Sequence, residues 1–439
     1  MTDLNKFIIP LKDIQPIQVR GKVTNIVGLV LEGHGPGSSM GGMCEIYSKQ
    51  MQDSIMAEVV GFRNNRVLLM PLGDLDGIGP GSKIVARKSN PAVKVGDNLL
   101  GRVIDGMGNP LDGKGALVLD HEMPLYGNRT NPLKKRRITE PLDLGIAAIN
   151  GITTIGKGQR MAIMAGSGVG KSVLLGMMAR NTKADINVIA LIGERGREVK
   201  EFIEKDLGEE GLKKSVVIAA ISDQPALIRI RGAYLATTIA EYFRNQGLDV
   251  LFMMDSVTRY AMSMREIGLA IGEPPTTKGY TPSCFAKLPK LLERVGNNTS
   301  TGSITGLYTV LVEGDDFTEP VADSVRSIVD GHIVLSRDLA AKNHYPAIDI
   351  LNSVSRVMND IVDKEHLVLA RRILELCAVY EEAKDLINIG AYVSGNNPAI
   401  DTAIAHINFI NTFLKQPIET KVAMEDCLEQ MREIFEKAG

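Results

Sequence analysis

The chain has 439 residues, enough for about three domains that each bury a core. Its 50 lysines and arginines against 52 aspartates and glutamates leave a net charge of −2, which argues against a protein held to nucleic acid mainly by a basic surface and leaves room only for a local basic patch. No apolar run approaches the ~18 residues a membrane span needs, and four cysteines and six histidines without metal spacing suggest reduced thiols in a cytoplasmic protein rather than a disulfide scaffold or metal cluster.

Residues 1–17 place Phe7, Ile8, Ile9, Leu11, Ile14 and Ile17 among polar residues, interrupted by Pro10 and Pro16. Two readings stand open, a partner-binding arm or the lead-in to the next domain. From 18 to 90 short β-type runs (Val23–Val30, Met56–Val60, Arg66–Met70) are divided by glycine and proline turns, the texture of a small β-barrel. Val95–Gly115 reads as a turn-rich connection, and the basic run Lys134–Arg137 as a solvated face.

Within a domain expected over 91–360, apolar runs alternate with helical patterns from about 150 to 335. The runs are Met161–Ala165, Val188–Ile192, Val216–Ile221, Val250–Met254, Tyr308–Val312 and His332–Leu335. Helices are expected over Val173–Asn181, Arg197–Asp206, Ala226–Asn245 and Arg259–Ile271. That alternation implies α/β architecture, a mostly parallel sheet with helices on both faces and a ligand site beyond the carboxyl ends of the strands. From 361 to 439 the pattern is helical, in three stretches separated at Ser394–Pro398.

The chemistry concentrates at Ala165-Gly166-Ser167-Gly168-Val169-Gly170-Lys171-Ser172-Val173. This is a phosphate-binding loop, with Ala165 where the strict pattern has glycine. The glycines let backbone N–H groups turn inward onto phosphate. Lys171 reaches the β- and γ-phosphates, Ser172 is a Mg²⁺ ligand, and the following helix points its positive end at the same charge. The strand Val250–Met254 ends in Asp255, placed to hold the metal opposite Ser172. Arg259, one helical turn on, either faces that site or makes a surface salt bridge. Glu194 follows another strand in GERGREV. It either orients the attacking water or is a helix N-terminal charge, and Arg195 either contacts phosphate or pairs with Glu198.

Taken together, AGSGVGKS, GERGREV, FMMDSVTRYA, IGEPPTTKGYTPS, LPKLLERVG, VEGDDFTEP, YPAIDILNSVSRVM and NIGAYVSG make the chain similar to the flagellar export ATPases. These form a branch of the type III secretion ATPase family, related to the catalytic subunit of F-type ATP synthases. The resemblance runs from about residue 18 to the C-terminus. It implies a RecA-like P-loop ATPase core between an N-terminal β-barrel and a C-terminal helical domain. It also implies ATP and Mg²⁺ as ligands, and a homohexamer that couples hydrolysis to flagellar protein export. Glu194 then matches the catalytic carboxylate, and Arg356 the arginine that a neighbouring subunit sends to the γ-phosphate. Tyr345 matches an aromatic beside the adenine. Ile418 stands where related catalytic subunits carry a second aromatic.

The resemblance implies that the loop Gly268–Pro282 faces a central pore and touches a coiled-coil stalk protein, the alternative being a surface loop with a structural kink. Further partners implied are a regulatory or peripheral-stalk protein at the N-terminal region, membrane export-gate proteins, and export substrates with their chaperones, with no nucleic acid. The implied location is the cytoplasmic face of the membrane at the flagellar base. A virulence-type secretion ATPase, a rotary synthase subunit and a ring helicase are the alternatives.

Overall fold

The computed structural model describes residues 19–49, 53–87, 91–127, 131–299, 301–312, 314 and 316–436. The arm expected over residues 1–17 lies outside them. The chain divides into two compact units. The first holds the described residues up to Ala92 with Pro225–Ile228 and Glu266–Pro274, and the second holds the rest.

In the first unit six strands, β1 (Arg20–Val27), β2 (Val30–His34), β3 (Met43–Tyr47), β4 (Ser54–Arg63), β5 (Arg66–Pro71) and β6 (Lys83–Ala86), close a barrel in the order β1-β2-β5-β4-β3-β6. Alternate residues of each strand point inward, so Val23, Leu31, Ile46, Val59, Leu69 and Ile84 fill its core. Closure leaves no unpaired sheet edge.

The second unit is built on an eight-stranded sheet. Its strands are β8 (Val103–Asp105), β10 (Arg160–Ala165), β11 (Ile186–Ile192), β12 (Ser215–Ala220), β13 (Asp249–Asp255), β14 (Ser303–Leu311), β15 (Gly331–Leu335) and β16 (Ile348–Ser355), in the order β16-β15-β10-β14-β13-β11-β12-β8. A separate pair joins β7 (Ala92–Val95) to β9 (His121–Pro124). Every neighbour in the large sheet is parallel except β16, which runs antiparallel to β15. Runs such as INVIALI, buried at every position, are what a strand covered on both faces requires.

Two strands of this sheet were not anticipated. Val103–Asp105, inside the expected connection, is an edge strand of this sheet, too short to announce itself by periodicity. The other is β16, half exposed along its length. The helix expected over Arg197–Asp206 is α-helical only to Glu201 and continues as a π-helical turn over Phe202–Leu207. The basic run is not simply solvated: Lys135 Nζ donates to the Glu293 carbonyl at 3.0 Å, and Arg136 donates to the carbonyls of Thr301 and Gly302.

Helices bearing on the site are α1 (Ala147–Ile152), α2 (Lys171–Asn181), α3 (Gly196–Glu201), α4 (Val257–Ala270) and α5 (Arg337–Ala341). The C-terminal helices are α6 (Lys364–Asn388), α7 (Pro398–Leu414) and α8 (Met424–Glu436). Asp363 caps α6, and Asn397 with Pro398 opens α7, as helix starts favour. They pack on α1, where His366 Nε2 lies 2.8 Å from the Gly151 carbonyl. Gln416 closes the same seam by accepting from Ala147 N and donating to the Gly145 carbonyl, so these buried polar groups are paired. The four cysteines are buried free thiols, no acidic or histidine cluster suited to a metal occurs among the described residues, and no helix there is long and apolar enough to cross a membrane.

Candidate nucleotide site

Parallel strands carry their carboxyl ends to one edge, and there the loop after β10 meets the tips of β11, β13 and β14. Gly168 and Gly170 have φ of 80° and 83°, a left-handed backbone that glycine adopts without strain. Gly170 caps α2, which delivers Lys171 and Ser172 to the base of a cavity of about 500 Å³. Val169 and Ala165 are buried beneath it, and Ser167, Gly168 and Val173 complete the loop around it.

Lys171 Nζ donates to Asp255 Oδ1 at 2.5 Å and lies 3.9 Å from Glu194 Oε1. Thr309, on the strand between β10 and β13, donates to the same Asp255 oxygen at 2.7 Å. One ammonium thus stands between two largely buried carboxylates. Glu194 Oε1 is buried without a hydrogen-bond partner. Its carboxyl is pushed up to about 7, first by burial and then by the charge of Asp255, with Glu198 adding a hydrogen bond in the same direction and Lys171 opposing. A buried, unsatisfied carboxylate at the tip of a strand is costly unless a ligand completes it.

Arg259 packs over Gly193, and its Nε is likewise buried and unpaired. It lines the cavity with Glu194, so the surface-salt-bridge alternative does not describe it. Arg195 is largely exposed and pairs with Glu198 at 3.1 Å, while still bordering the cavity. Ser172, Asp255 and Glu194 also share a small adjoining pocket. Its hydroxyl and carboxylate donors suit Mg²⁺, which takes one or two protein oxygens and completes its shell with phosphate and water.

The comparisons with known proteins cover nearly the whole chain. The beta-barrel domain of the ATP synthase alpha/beta family matches residues 23–88, the nucleotide-binding domain of that family 145–355, and the T3SS EscN ATPase C-terminal domain 362–433. The flagellum-specific ATP synthase of Bacillus subtilis is 54% identical over 93% of both chains. This chain belongs to the flagellar and type III secretion ATPase family. The type 3 secretion system ATPase of Xanthomonas euvesicatoria is 48% identical over 95% of this chain and 94% of its own. A solved structure of the assembled ATPase EscN from the enteropathogenic E. coli type III secretion system superposes with a TM-score of 0.89 at 45% identity, covering 94% of this chain and 99% of that one. Another solved structure shows EscN in complex with its central stalk EscO, with a TM-score of 0.87 at 44% identity and the same coverage. The relatives bearing the flagellar name favour the flagellar branch of the family.

Tyr345 lies at the loop, its ring carbons 3.3–3.4 Å from where a Cβ on Gly170 would stand. Its backbone carbonyl accepts from Gln416 N at 3.0 Å, which draws the Pro417-Ile418 turn toward it, and both Tyr345 and Ile418 are exposed. Arg356 is elsewhere. It follows β16, and its backbone N–H bonds the Asp330 carbonyl, next to Arg160 at the amino end of β10. Six residues of strand, roughly 17 Å at 3.3–3.4 Å per residue, separate that end from the phosphate loop. Its guanidinium donates to the Val329 and Arg326 carbonyls.

Sequence reasoning passed over Thr309 and Arg337, both at the site, and named Glu198 only as a partner for Arg195. Strand adjacency was the missing signal. Only the order of strands says that Thr309 sits beside Asp255, and that Leu335 pairs with Ala165, bringing Arg337 to the loop.

Proposed function

We propose that the chain hydrolyses ATP with Mg²⁺ at sites shared between identical protomers of a ring, and that this energises or primes flagellar protein export. The observation that carries the reading is the Lys171–Asp255–Glu194 cluster under the loop, with Arg356 at the far end of the same sheet.

In this reading the loop amides and Lys171 hold the triphosphate, with the α2 N-terminus behind them. Ser172 and Asp255 would hold Mg²⁺, which offsets charge on the β- and γ-phosphates when bound. Glu194, as a carboxylate, orients the attacking water and accepts its proton. Arg259 and Arg195 border the γ-phosphate, and Tyr345 and Ile418 flank the base. Arg356 cannot reach its own loop across roughly 17 Å of strand, so it serves the site of the adjacent protomer.

The domain limits that go with this are 18–90, 91–360 and 361–439. The loop Gly268–Pro282 would face the pore of the ring, as in an assembly with a central coiled-coil stalk. Export-gate proteins, chaperoned substrates and a peripheral-stalk protein at residues 1–17 would bind outside it, at the membrane face of the flagellar base. Loss of motility on deletion, against loss of effector secretion, separates the flagellar from the virulence role.

The decisive experiment mixes two inactive variants. Lys171→Ala lacks phosphate binding and Arg356→Ala lacks the incoming cation. In rings of equal mixture about one site in four has an intact loop beside an intact Arg356, so about a quarter of wild-type activity returns. No recovery in mixed rings would overturn the shared site.

A further inference from the structure

We propose that Arg337 is a positioning residue for the phosphate loop, holding its first turn in the conformation that receives nucleotide. The inference rests on the reading of the loop as an ATP site.

Strand β15 runs beside β10 with Leu335 paired to Ala165, so the chain leaving β15 passes directly over the start of the loop. Ser336 caps α5 by accepting from Leu339 N, which makes Arg337 the first residue of that helix. A Cβ built on Gly166 would lie 2.6 Å from Arg337 Nε, 2.7 Å from Nη2 and 3.0 Å from Cζ. Nε and Nη2 are both nearer than Cζ, so the guanidinium presents its Nε–Nη2 edge to Gly166. The same segment touches the other end of the loop through Tyr345 at Gly170. Its return is fixed by His344 N donating to the Leu339 carbonyl and by the Gln416–Tyr345 bond. A nine-residue segment therefore spans the loop from Gly166 to Gly170, while Arg337 itself borders the nucleotide cavity.

The three loop glycines are then required for different reasons. Gly168 and Gly170 supply positive φ. Gly166 is not in that backbone region; what it supplies is room, and the room is filled by Arg337. A side chain held against the loop from β15 limits the conformations its amides sample before nucleotide arrives, which favours binding rather than the chemical step. Residues acting this way change KM more than kcat.

The test is a double-mutant cycle on the full chain with Arg337→Ala and Gly166→Ala, adding Arg337→Lys, and with wild type and Lys171→Ala as references. Steady-state MgATP hydrolysis and titration with a fluorescent ADP analogue are both read. A methyl group at 166 would displace the far end of a flexible side chain, so it removes the same contact that Arg337→Ala removes. Each single variant is expected to raise KM and the analogue's Kd about tenfold with kcat within about threefold, and the double variant to be no worse than either. Arg337→Lys keeps the charge but not the two-nitrogen edge, and is expected to behave like Arg337→Ala.

Multiplying effects in the double variant, an unchanged KM in Arg337→Ala, a loss confined to kcat, or full rescue by lysine would each overturn the proposal. If Arg337→Ala does not fold, Gly166→Ala and Arg337→Lys still decide it. Failure of the underlying reading looks different: Lys171→Ala would then hydrolyse ATP as fast as wild type.

Discussion

The two ends of the central sheet carry similar charges and treat them in opposite ways. At the amino end Arg160 grips Asp330 through two bonds of 3.0 Å, and both groups are satisfied. At the carboxyl end Glu194 and Arg259 each leave a buried polar atom unpaired, and Lys171 is shared between two carboxylates. A bidentate pair is a finished interaction that locates strands. An unfinished cluster costs stability and is completed by a ligand. Arg356 belongs to the amino end by position, yet it makes no ion pair among the described residues and is exposed. It shares with the unfinished end the lack of an ionic partner, which is what the proposed role at a neighbouring site requires.

The largest effect should come from breaking that link. Arg356→Ala is expected to lower kcat by ~10³–10⁵, about 4–7 kcal/mol of barrier, with nucleotide affinity within a few fold. Single-turnover hydrolysis and equilibrium binding check this, and near-normal turnover would make Arg356 as structural as Arg160.

Glu194→Gln should cost ~10²–10⁴ in turnover while ATP still binds. It also separates the two ends thermodynamically. Because the folded form holds the Glu194 proton up to about 7, against 4.5 for an ordinary carboxyl, wild-type stability falls as pH rises between those values. Glutamine carries no such penalty, so the variant should be more stable than wild type at pH 8, by about 1–3 kcal/mol, and equal to it near pH 4.5. Melting curves across pH decide it; a variant less stable at pH 8 would contradict an unfinished carboxylate. For the same reason kcat/KM of the wild type should climb through about pH 7 as the free enzyme's carboxylate forms.

Tyr345→Ala should raise KM for ATP by about 1–3 kcal/mol of lost stacking, with kcat changed less. The smallest catalytic effect is expected at the finished end. Asp330→Asn should lower stability by about 1–3 kcal/mol and leave kcat at saturating ATP within about twofold. A large kcat loss there would mean that the amino end does more than locate strands.

Much of this was legible in the residues because it is local. A phosphate loop needs positive-φ glycines and a lysine within a few positions, so Gly168, Gly170 and Lys171 declare themselves. Strands buried on both faces read as apolar runs, and carboxylates ending such runs, Asp255 and Glu194, mark the edge where ligands bind. What could not be read was adjacency. Strand order put Thr309 against Asp255 and Arg337 against Gly166, because pairing between strands far apart in sequence leaves no short-range pattern. The unpaired atoms of Glu194 and Arg259, and the separation of Arg356 from its own loop, likewise exist only once packing has fixed which groups share a surface and which lie at opposite ends of a strand.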